Sequence, residues 1–468
     1  MNVLLLNLPF PARLTRRYMC TYVSATSLFP PYELLSVAGV AKAIAGMEVS
    51  VLDCVANEMD AKKLYSRLDG QIPDVILSLI GLESFEQDMN HVNSLKERYP
   101  ETLQVVFGHY PTTFPAEVLN NSSADILIKG EPDEVFGQLL SVLSGGGDWA
   151  GVAGISYKKD GMVVHTQDKG RIRQLDNLPM PAYELMDASK YFETLIPGPF
   201  ALVQSSRGCP FTCNYCVTTF GSRFVSKSAE SVIEELVFLK SNNRIKSFRF
   251  IDDTFTINKK RVIAICEGII EQKLNLKWTC LSRTDTLSED MLVWMKKAGC
   301  VRIYFGLESG SQRILDFYKK NVDLVEVKQT LLLCKKMGID AVGFFMGGLS
   351  IETEEDFEQT VRFALDSQIT FASFCELTLY PGTELYEMNK DEVEFSLFPY
   401  VNRHKNPEAA LRFERWRKEF HRRFYHRPQS VYNLSKTFVK EMSSSLQFVK
   451  NVVSAPKYSE TVYPYINS

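Results

Sequence analysis

The chain has 468 residues, of which 45% are hydrophobic and 23% are charged, and its formal net charge is −3. These values are typical of a soluble globular protein with more than one domain, and the small net charge gives no general attraction to nucleic acid or to anionic membranes. No apolar stretch reaches the roughly 18 residues of a membrane span, and the first residues lack the cationic start of a signal peptide. Several of the cysteines lie within apolar patterns, which indicates reduced core residues and a cytoplasmic location.

Residues 1–147 alternate apolar strands with amphipathic helices. The pattern predicts strands at 2–8, 49–52, 75–80, 103–108 and 125–130, separated by helices at 33–45, 60–68 and 88–98 and followed by a helix at 135–143. This alternation predicts a Rossmann-like, doubly wound α/β domain with a parallel sheet. Ligands of such sheets bind at the carboxyl ends of the strands, where Gly108, His109, Gly130 and Glu131 occur.

Residues 148–190 predict a β-hairpin followed by a linker. The Asp160-Gly161 pair lies between two short apolar runs and is a strong turn signal. Pro179 and Pro181 then interrupt regular structure, so we expect the next domain to begin near residue 191.

From residue 200 the strand–helix alternation resumes. Six strands are predicted, at 200–203, 248–253, 276–281, 301–308, 340–346 and 372–377. They indicate a partial (βα)6 barrel within residues 191–390, with its chemistry at the carboxyl ends of the strands.

Residues 391–468 form a predicted C-terminal extension that is mostly helical. Its stretch 403–427 carries nine Lys or Arg residues against three Glu, and it spaces Phe413, Trp416, Phe420 and Phe424 as on one helix face. We expect this aromatic stripe to pack on the core. Contact with an anionic membrane surface or with a phosphorylated substrate is the alternative.

Cys209, Cys213 and Cys216 have the spacing CxxxCxxC on a loop directly after the first barrel strand. Three thiolates on one loop can converge on one face of an iron–sulfur cube and leave one iron open. A zinc site needs a fourth ligand, and the nearest histidines, His165 and His404, are distant in sequence. A redox pair formed by Cys213 and Cys216 leaves Cys209 unexplained.

This spacing, with Tyr215 before the last cysteine, resembles the signature of the radical S-adenosylmethionine (SAM) enzymes, and the resemblance extends over residues 200 to about 388. It implies a 4Fe-4S cluster on the three cysteines and SAM at the open iron, cleaved to a 5′-deoxyadenosyl radical. It also implies that several residues contact SAM, namely Tyr215, Asp252, Asp253, Arg283, Glu308, Ser309, Gly347 and Gly348. Residues 348–353 depart from the family pattern by replacing a proline and a glycine.

Residues 1 to about 145 resemble the cobalamin-binding domain that is fused to one subgroup of these enzymes. Residues 107–112, Asp125 and residues 130–134 carry this resemblance. It implies cobalamin, with Gly108, His109, Gly130 and Glu131 as contacts. The loop after strand one lacks the Asp-x-His-x-x-Gly pattern, which argues against a histidine ligand to cobalt from that loop.

Together these features predict a cobalamin-dependent radical SAM methyltransferase that acts on an unactivated carbon of a small-molecule or natural-product substrate. A flavodoxin or ferredoxin would supply single electrons, and no nucleic acid partner is expected. The first alternative is a radical SAM cyclase or rearrangement enzyme without methyl transfer. The second is a non-catalytic binding protein that the cysteines stabilise through zinc or a cluster.

Overall fold

The computed structural model describes residues 1–440 except Met19, Ala25, Thr218 and Thr219, so residues 441–468 of the predicted extension lie outside the described residues. The strands are β1 (Asn2–Asn7), β2 (Leu14–Arg16), β3 (Thr21–Val23), β4 (Glu48–Asp53), β5 (Val75–Ile80), β6 (Leu103–Gly108), β7 (Ile126–Ile128), β8 (Ile155–Lys159), β9 (Met162–His165), β10 (Phe200–Val203), β11 (Ser206–Arg207), β12 (Val225–Ser226), β13 (Ser247–Phe250), β14 (Lys277–Ser282), β15 (Cys300–Glu308), β16 (Asp340–Gly347), β17 (Phe371–Glu376), β18 (Val393–Leu397) and β19 (Tyr400–His404). The helices are α1 (Tyr32–Lys42), α2 (Ala61–Leu68), α3 (Phe85–Arg98), α4 (His109–Thr113), α5 (Pro115–Asn120), α6 (Pro132–Ser144), α7 (Ala229–Asn242), α8 (Lys259–Glu271), α9 (Glu289–Lys297), α10 (Gln312–Phe317), α11 (Leu324–Lys336), α12 (Glu354–Asp366), α13 (Glu384–Asn389), α14 (Pro407–Tyr425) and α15 (Pro428–Lys440).

The N-terminal sheet has the strand order β4-β1-β5-β6-β7-β8-β9. Its first five strands are parallel, and the predicted hairpin β8–β9 adds two antiparallel strands at the edge. The apolar run of β1 is buried from Val3 onward, as expected for a strand that helices cover on both faces. The predicted doubly wound domain is therefore confirmed.

The second sheet contains six strands in the order β10-β13-β14-β15-β16-β17, all parallel to their neighbours. Alternate residues of β16 divide between two environments. Phe345 packs outward against Phe363 and Phe420, whereas Phe344 points inward and stacks on Tyr304 of β15. The predicted partial (βα)6 barrel is confirmed by this order and by the helices that alternate with its strands.

The carboxyl edges of the two sheets face each other. The loop after β17 reaches the N-terminal domain, where the Tyr380 hydroxyl donates to Glu83 and the His109 ring lies 3.4 Å from the carbonyl oxygen of Pro381. Arg207, at the start of the cysteine loop, forms a second bridge through Glu131 and Asp133. The space between the domains is thus bordered by the strand ends of both.

Glu193, in the segment just before β10, contacts side chains of three barrel strands, β13, β14 and β15. Its carboxylate accepts a hydrogen bond from Arg249 at 2.5 Å and one from Thr279 at 3.1 Å, and the Tyr304 hydroxyl also donates to it. A guanidinium nitrogen of Arg302 lies 4.0 Å from a carboxylate oxygen of Glu193. Glu193 and Arg302 are buried. The negative charge of Glu193 therefore offsets the positive charges of Arg249 and Arg302, which would be costly to place in the barrel interior without a counter-charge.

The C-terminal extension begins with the hairpin β18–β19, which the sequence pattern did not reveal. The predicted packing of the aromatic stripe on the core is confirmed, because Phe413, Trp416, Phe420 and Phe424 of α14 are buried. Several cations of α14 pair with carboxylates nearby, including Arg423 with Glu358 at 2.7 Å. This pairing removes much of the support for the membrane alternative.

Among the residues described, none of the helices is both long and apolar enough to cross a membrane.

Candidate active site

Asp252 anchors the start of the cysteine loop. It is fully buried, and its carboxylate accepts hydrogen bonds from the Ser205 N–H at 2.7 Å and from the Ser205 and Ser206 hydroxyls at 2.6 Å each. These bonds hold the chain where it leaves β10. The structure therefore places Asp252 behind the loop, and the SAM contact predicted for it stays a prediction that this geometry does not favour.

Hydrogen bonds fix the rest of the loop although it has little regular structure. The Cys209 N–H donates to the Gly221 carbonyl at 3.1 Å, and Asn214 donates through its N–H to Tyr318 at 3.2 Å and through its side chain to Phe317 at 2.7 Å. Asp253 accepts from the Gly208 N–H at 3.1 Å. The loop is thus held from both sides before any cofactor binds.

The three thiols lie near one another on this loop. Burial by the surrounding protein is the largest cause of the raised pKa of Cys216. The charges of Asp253, Cys213 and Cys209 raise this pKa further. Burial also raises the pKa of Cys209, with a contribution from Cys213. Bound iron supplies the positive charge that such thiols need in order to ionise.

Within the described part of the chain, no three His, Cys, Asp or Glu side chains are close enough to hold one metal ion. The zinc alternative needs its ligands around a single ion. A cubane attaches each thiolate to a different iron, so its ligands stand further apart. The choice between a cluster and a single ion therefore rests on the spacing of the three cysteines.

Arg283 brings a positive charge to the loop. Its guanidinium lies 3.6 Å from the Cys213 sulfur and 3.7 Å from the centre of the Phe211 ring, and Asp285 holds it through two hydrogen bonds. Asp285 lies two residues away along the chain, so this ion pair forms locally. The arrangement places a fixed cation beside one predicted cluster ligand.

Glu308 forms a compact group with Tyr215 and Lys320. Its carboxylate accepts from the Tyr215 hydroxyl at 2.9 Å and from the Lys320 ammonium at 3.0 Å. Glu308 has a φ of 61°, which is unusual for a residue with a side chain and is typical of strain retained at functional sites. Lys320 was not predicted from the sequence, because it lies outside the family motifs.

The remaining predicted SAM contacts lie further along the barrel. The Ser309 hydroxyl is 3.0 Å from that of Thr360, a contact that connects it to α12. Gly348 has a φ of 120°, and its N–H donates to Glu352 at 2.5 Å. A side chain on Gly347 would come within 2.9 Å of Phe374. Gly347 and Gly348 thus allow the Glu352 carboxylate to fold over the end of β16.

Glu352 makes a testable contribution to pH-dependent stability. Burial raises its pKa to about 7, although the N–H groups of Gly348 and Leu349 act in the opposite direction. The unfolded pKa is about 4.3, so its stabilising contribution is complete below about pH 4 and is lost as the pH rises to about 7. We expect unfolding free energies of Glu352→Gln and wild-type protein to diverge by about 3 kcal/mol over this range.

The matched control is Glu97→Gln, a change at an exposed position on α3. It should keep the wild-type pH profile of urea unfolding. Parallel profiles for wild-type and Glu352→Gln protein would show that the Glu352 carboxyl does not titrate in this range.

The four residues predicted to contact cobalamin have different surroundings. Gly130 has a φ of 71°, and nothing lies within 4 Å of the position that a side chain would occupy, so it borders free space. A side chain on Gly108 would lie 2.5 Å from the Ile80 carbonyl, so a glycine here allows β6 to pack closely against β5. His109 is buried against Pro381, and Glu131 pairs with Arg207 at 2.8 Å.

This edge fits a ligand that rests on the backbone near Gly130. It does not fit one that His109 coordinates in its present orientation. A separate cavity of about 450 Å³ adjoins the carboxyl ends of β1 and β4, and none of the four predicted residues lines it. The cobalamin contacts therefore stay predictions.

Several side chains border the space between the two domains above the barrel. Phe344 is 38% exposed although β16 is a central strand. Cys20 of the facing domain is exposed, yet burial by the surrounding protein raises the pKa of its thiol to about 11, and the charge of Arg249 reaches it. Glu83 is also exposed, and desolvation by the surrounding protein raises the pKa of its carboxyl group. Phe344, Cys20 and Glu83 are therefore accessible side chains near the facing carboxyl edges of the two sheets.

Comparisons with known proteins agree with this geometry. A profile of the radical SAM superfamily matches residues 203–364. An uncharacterized methyltransferase, PH0819, from Pyrococcus horikoshii is 36% identical over 347 residues, which cover 73% of this chain and 74% of the relative. The anaerobic magnesium-protoporphyrin IX monomethyl ester cyclase of Rubrivivax gelatinosus is 27% identical over 397 residues, which cover 82% and 71%.

The fold also resembles a solved structure. The cobalamin-dependent SAM radical enzyme OxsB, with aqua-cobalamin bound, superposes with a TM-score of 0.73 over 96% of this chain and 72% of that one, at 16% identity. At this identity the likeness establishes the shared fold.

Proposed function

Because this chain belongs to the radical SAM superfamily, we propose that it is a cobalamin-dependent C-methyltransferase acting on an unactivated carbon of a small-molecule substrate. One observation carries the proposal. The cysteine loop, at the carboxyl end of a six-stranded partial barrel, faces the carboxyl edge of a doubly wound domain. The sensitivity of such a cluster to oxygen favours a cytoplasmic location.

Cys209, Cys213 and Cys216 hold the cluster in this proposal. When bound, a 4Fe-4S cluster would supply the single electron for cleavage of SAM to methionine and a 5′-deoxyadenosyl radical. Arg283 places its cation beside Cys213, where it attracts a carboxylate or offsets the charge of a reduced cluster. Asp285 fixes the orientation of the guanidinium, which therefore needs little reorganisation during the reaction.

The Tyr215, Glu308 and Lys320 group orients the far side of the loop. Burial raises the pKa of Tyr215 well above its usual value, so the hydroxyl keeps its proton and donates to Glu308. A carboxylate that accepts from both partners is held in one orientation toward a ribose hydroxyl. This geometry supports the SAM contacts predicted for Tyr215 and Glu308.

The space between the domains receives the substrate. The stacked rings of Tyr304 and Phe344, with centroids 5.7 Å apart, favour a substrate with an apolar or aromatic face at the reacting carbon. Both domains border this space, an arrangement that would limit access of water and so protect a carbon radical from side reactions.

Cobalamin is the proposed carrier of the methyl group. Of the four residues predicted to contact it, Gly130 has surroundings that fit such a ligand. The backbone at Gly130 would support it on the N-terminal domain, and when bound it would supply a methyl group to a substrate radical. His109 is not assigned as a cobalt ligand, because its ring is turned toward Pro381.

Cobalamin retention tests this proposal. Protein reconstituted without oxygen in the presence of hydroxocobalamin and then desalted should keep near-stoichiometric corrin absorption. Gly130→Trp should lose most of it, because the indole would fill the space that Gly130 borders. Gly161→Trp is the matched control, since Gly161 has a φ of 77° and equally open surroundings on the β8–β9 turn.

The control should retain as much corrin as the wild type. Wild-type protein with intact iron and sulfide but without corrin would overturn methyl transfer from cobalamin and leave the radical chemistry standing.

A radical cyclisation without methyl transfer is the second candidate function. The similarity to the Rubrivivax gelatinosus cyclase, which extends over 82% of this chain, favours it. The mass of the product separates the two functions, because methylation adds a carbon and cyclisation does not.

A further inference from the structure

A cationic pocket lies beside the cysteine loop, next to the Arg207–Glu131 ion pair that joins the two domains. Its volume is about 240 Å³. Its walls include four arginines, together with a carboxylate and apolar side chains: Arg171, Arg173, Arg207, Arg223, Glu131, Ile172, Phe220 and Val225. Glu131 is the one lining residue among the predicted cobalamin contacts, and neither the predicted SAM contacts nor the substrate space accounts for the group of arginines.

The pocket is in direct contact with the chain that carries Cys209. The Gly221 carbonyl accepts the Cys209 N–H at 3.1 Å. The Arg171 guanidinium lies 3.6 Å from the position that a side chain on Gly221 would occupy. Such a side chain on Gly208 would lie 2.1 Å from the Arg223 carbonyl, so the two segments pack backbone against backbone. The backbone at Gly221 therefore lies between this pocket and Cys209, a predicted cluster ligand.

The charge of this pocket is local. The whole chain is slightly acidic, with a net charge of −3. Arg207 is buried and already pairs with two carboxylates, those of Glu131 and Asp133. Arg173 and Arg223 are exposed at the rim, where their charges face solvent. A positive rim on an acidic chain steers an acidic partner to this face and discourages approach elsewhere.

We propose that this pocket is the docking site of an acidic one-electron donor protein, of which a flavodoxin is the probe. The inference rests on the proposed radical SAM activity, which consumes one electron from outside the chain for each SAM cleaved. One electron leaves the reduced donor and enters the cluster next to Cys209, so the donor is oxidised by one electron. An acidic side chain of the donor enters the pocket between the arginines, and its redox group is brought close to the loop.

Direct binding of oxidised flavodoxin, measured by calorimetry at low and high salt, tests the site without requiring turnover. The Arg173→Glu/Arg223→Glu double variant should bind about tenfold or more weakly than wild type at low salt. Raising the salt concentration should weaken wild-type binding, because the attraction is between exposed charges. Lys62→Glu/Arg67→Glu, with the same change in charge on exposed positions of α2, should bind as the wild type does.

Rates of SAM cleavage separate this inference from the proposed function. With dithionite as reductant, both double variants should cleave SAM at the wild-type rate, whereas with reduced flavodoxin only Arg173→Glu/Arg223→Glu should be slow. If wild-type protein with its cluster intact fails to cleave SAM with dithionite, the proposed function fails. Normal cleavage with dithionite together with equal flavodoxin binding by both variants would overturn the docking site alone.

A small-anion site is the competing explanation of the four arginines. If inorganic phosphate binds in a manner that depends on Arg173 and Arg223 while flavodoxin does not bind, the donor proposal is overturned. If flavodoxin binds and phosphate only competes with it at high concentration, the docking site is supported.

Discussion

Cys213→Ala should abolish reductive cleavage of SAM, lowering the rate of 5′-deoxyadenosine formation by about 10³-fold or more. The reason is geometric, because a cubane left with two thiolates loses one anchored iron and the orientation of its open corner. Cys213 is also the thiol that Arg283 approaches to 3.6 Å, so the variant removes the group on which that cation acts. The rate is measured without oxygen, with dithionite as the electron source.

Iron and sulfide content provides a second readout for the same variant. Reconstituted Cys213→Ala protein should hold less of both than the wild type. Cys375→Ala is the matched control, since Cys375 is an exposed cysteine on β17, at the opposite edge of the barrel sheet from β10, and its loss should leave cluster content unchanged. A Cys213→Ala enzyme that cleaved SAM at the wild-type rate would refute the assignment of the cluster.

Arg207→Ala should lower the free energy of unfolding by about 3–5 kcal/mol, because it leaves two buried carboxylates without their counter-charge. The guanidinium lies 2.8 Å from an oxygen of Glu131 and 2.8 Å from one of Asp133, and all three side chains are buried. Arg207 also stacks over Phe220 at 5.1 Å, a contact that the variant loses. Urea unfolding of the apoprotein measures this change.

Arg362→Ala is the matched control for Arg207→Ala. Arg362 pairs with Glu355 at 2.8 Å, but both side chains are more than half exposed, so the loss should be about 0–1 kcal/mol. Neutralising the two carboxylates as well, in Arg207→Met/Glu131→Gln/Asp133→Asn, should recover most of the lost stability. Equal effects of Arg207→Ala and Arg362→Ala would show that the buried network does not stabilise the domain interface.

The sequence predicted the local parts of this fold well. Strands with continuous apolar runs, such as β1 and β5, were identifiable because helices cover both of their faces. The position of the cysteine loop after β10 followed from the order of the elements. The hairpins β2–β3 and β18–β19 were missed, because short strands with mixed burial have no clear periodicity.

The site was predicted less completely, because several of its key contacts join distant segments. Arg207 stands inside the cysteine motif, but its partners Glu131 and Asp133 lie more than 70 residues earlier. The cobalamin contact of Glu131 stays a prediction, and its pairing with Arg207 across the domains was not foreseen. Lys320 was missed for a similar reason, since only the folded barrel brings it to Glu308. Sequence spacing carries no information on such pairings.

The position of Glu193 determines where the chain can be divided. A fragment that starts at the first barrel strand would contain Arg249 and Arg302 without the carboxylate that faces them. The segment before β10 is therefore an integral part of the barrel, although in sequence it reads as a connector. Exchanging N-terminal domains between relatives should succeed when the junction lies upstream of Tyr183, whose hydroxyl donates to the Leu202 carbonyl at 2.8 Å. In such chimeras the connector would be inherited with the catalytic half, and the two would have to vary together.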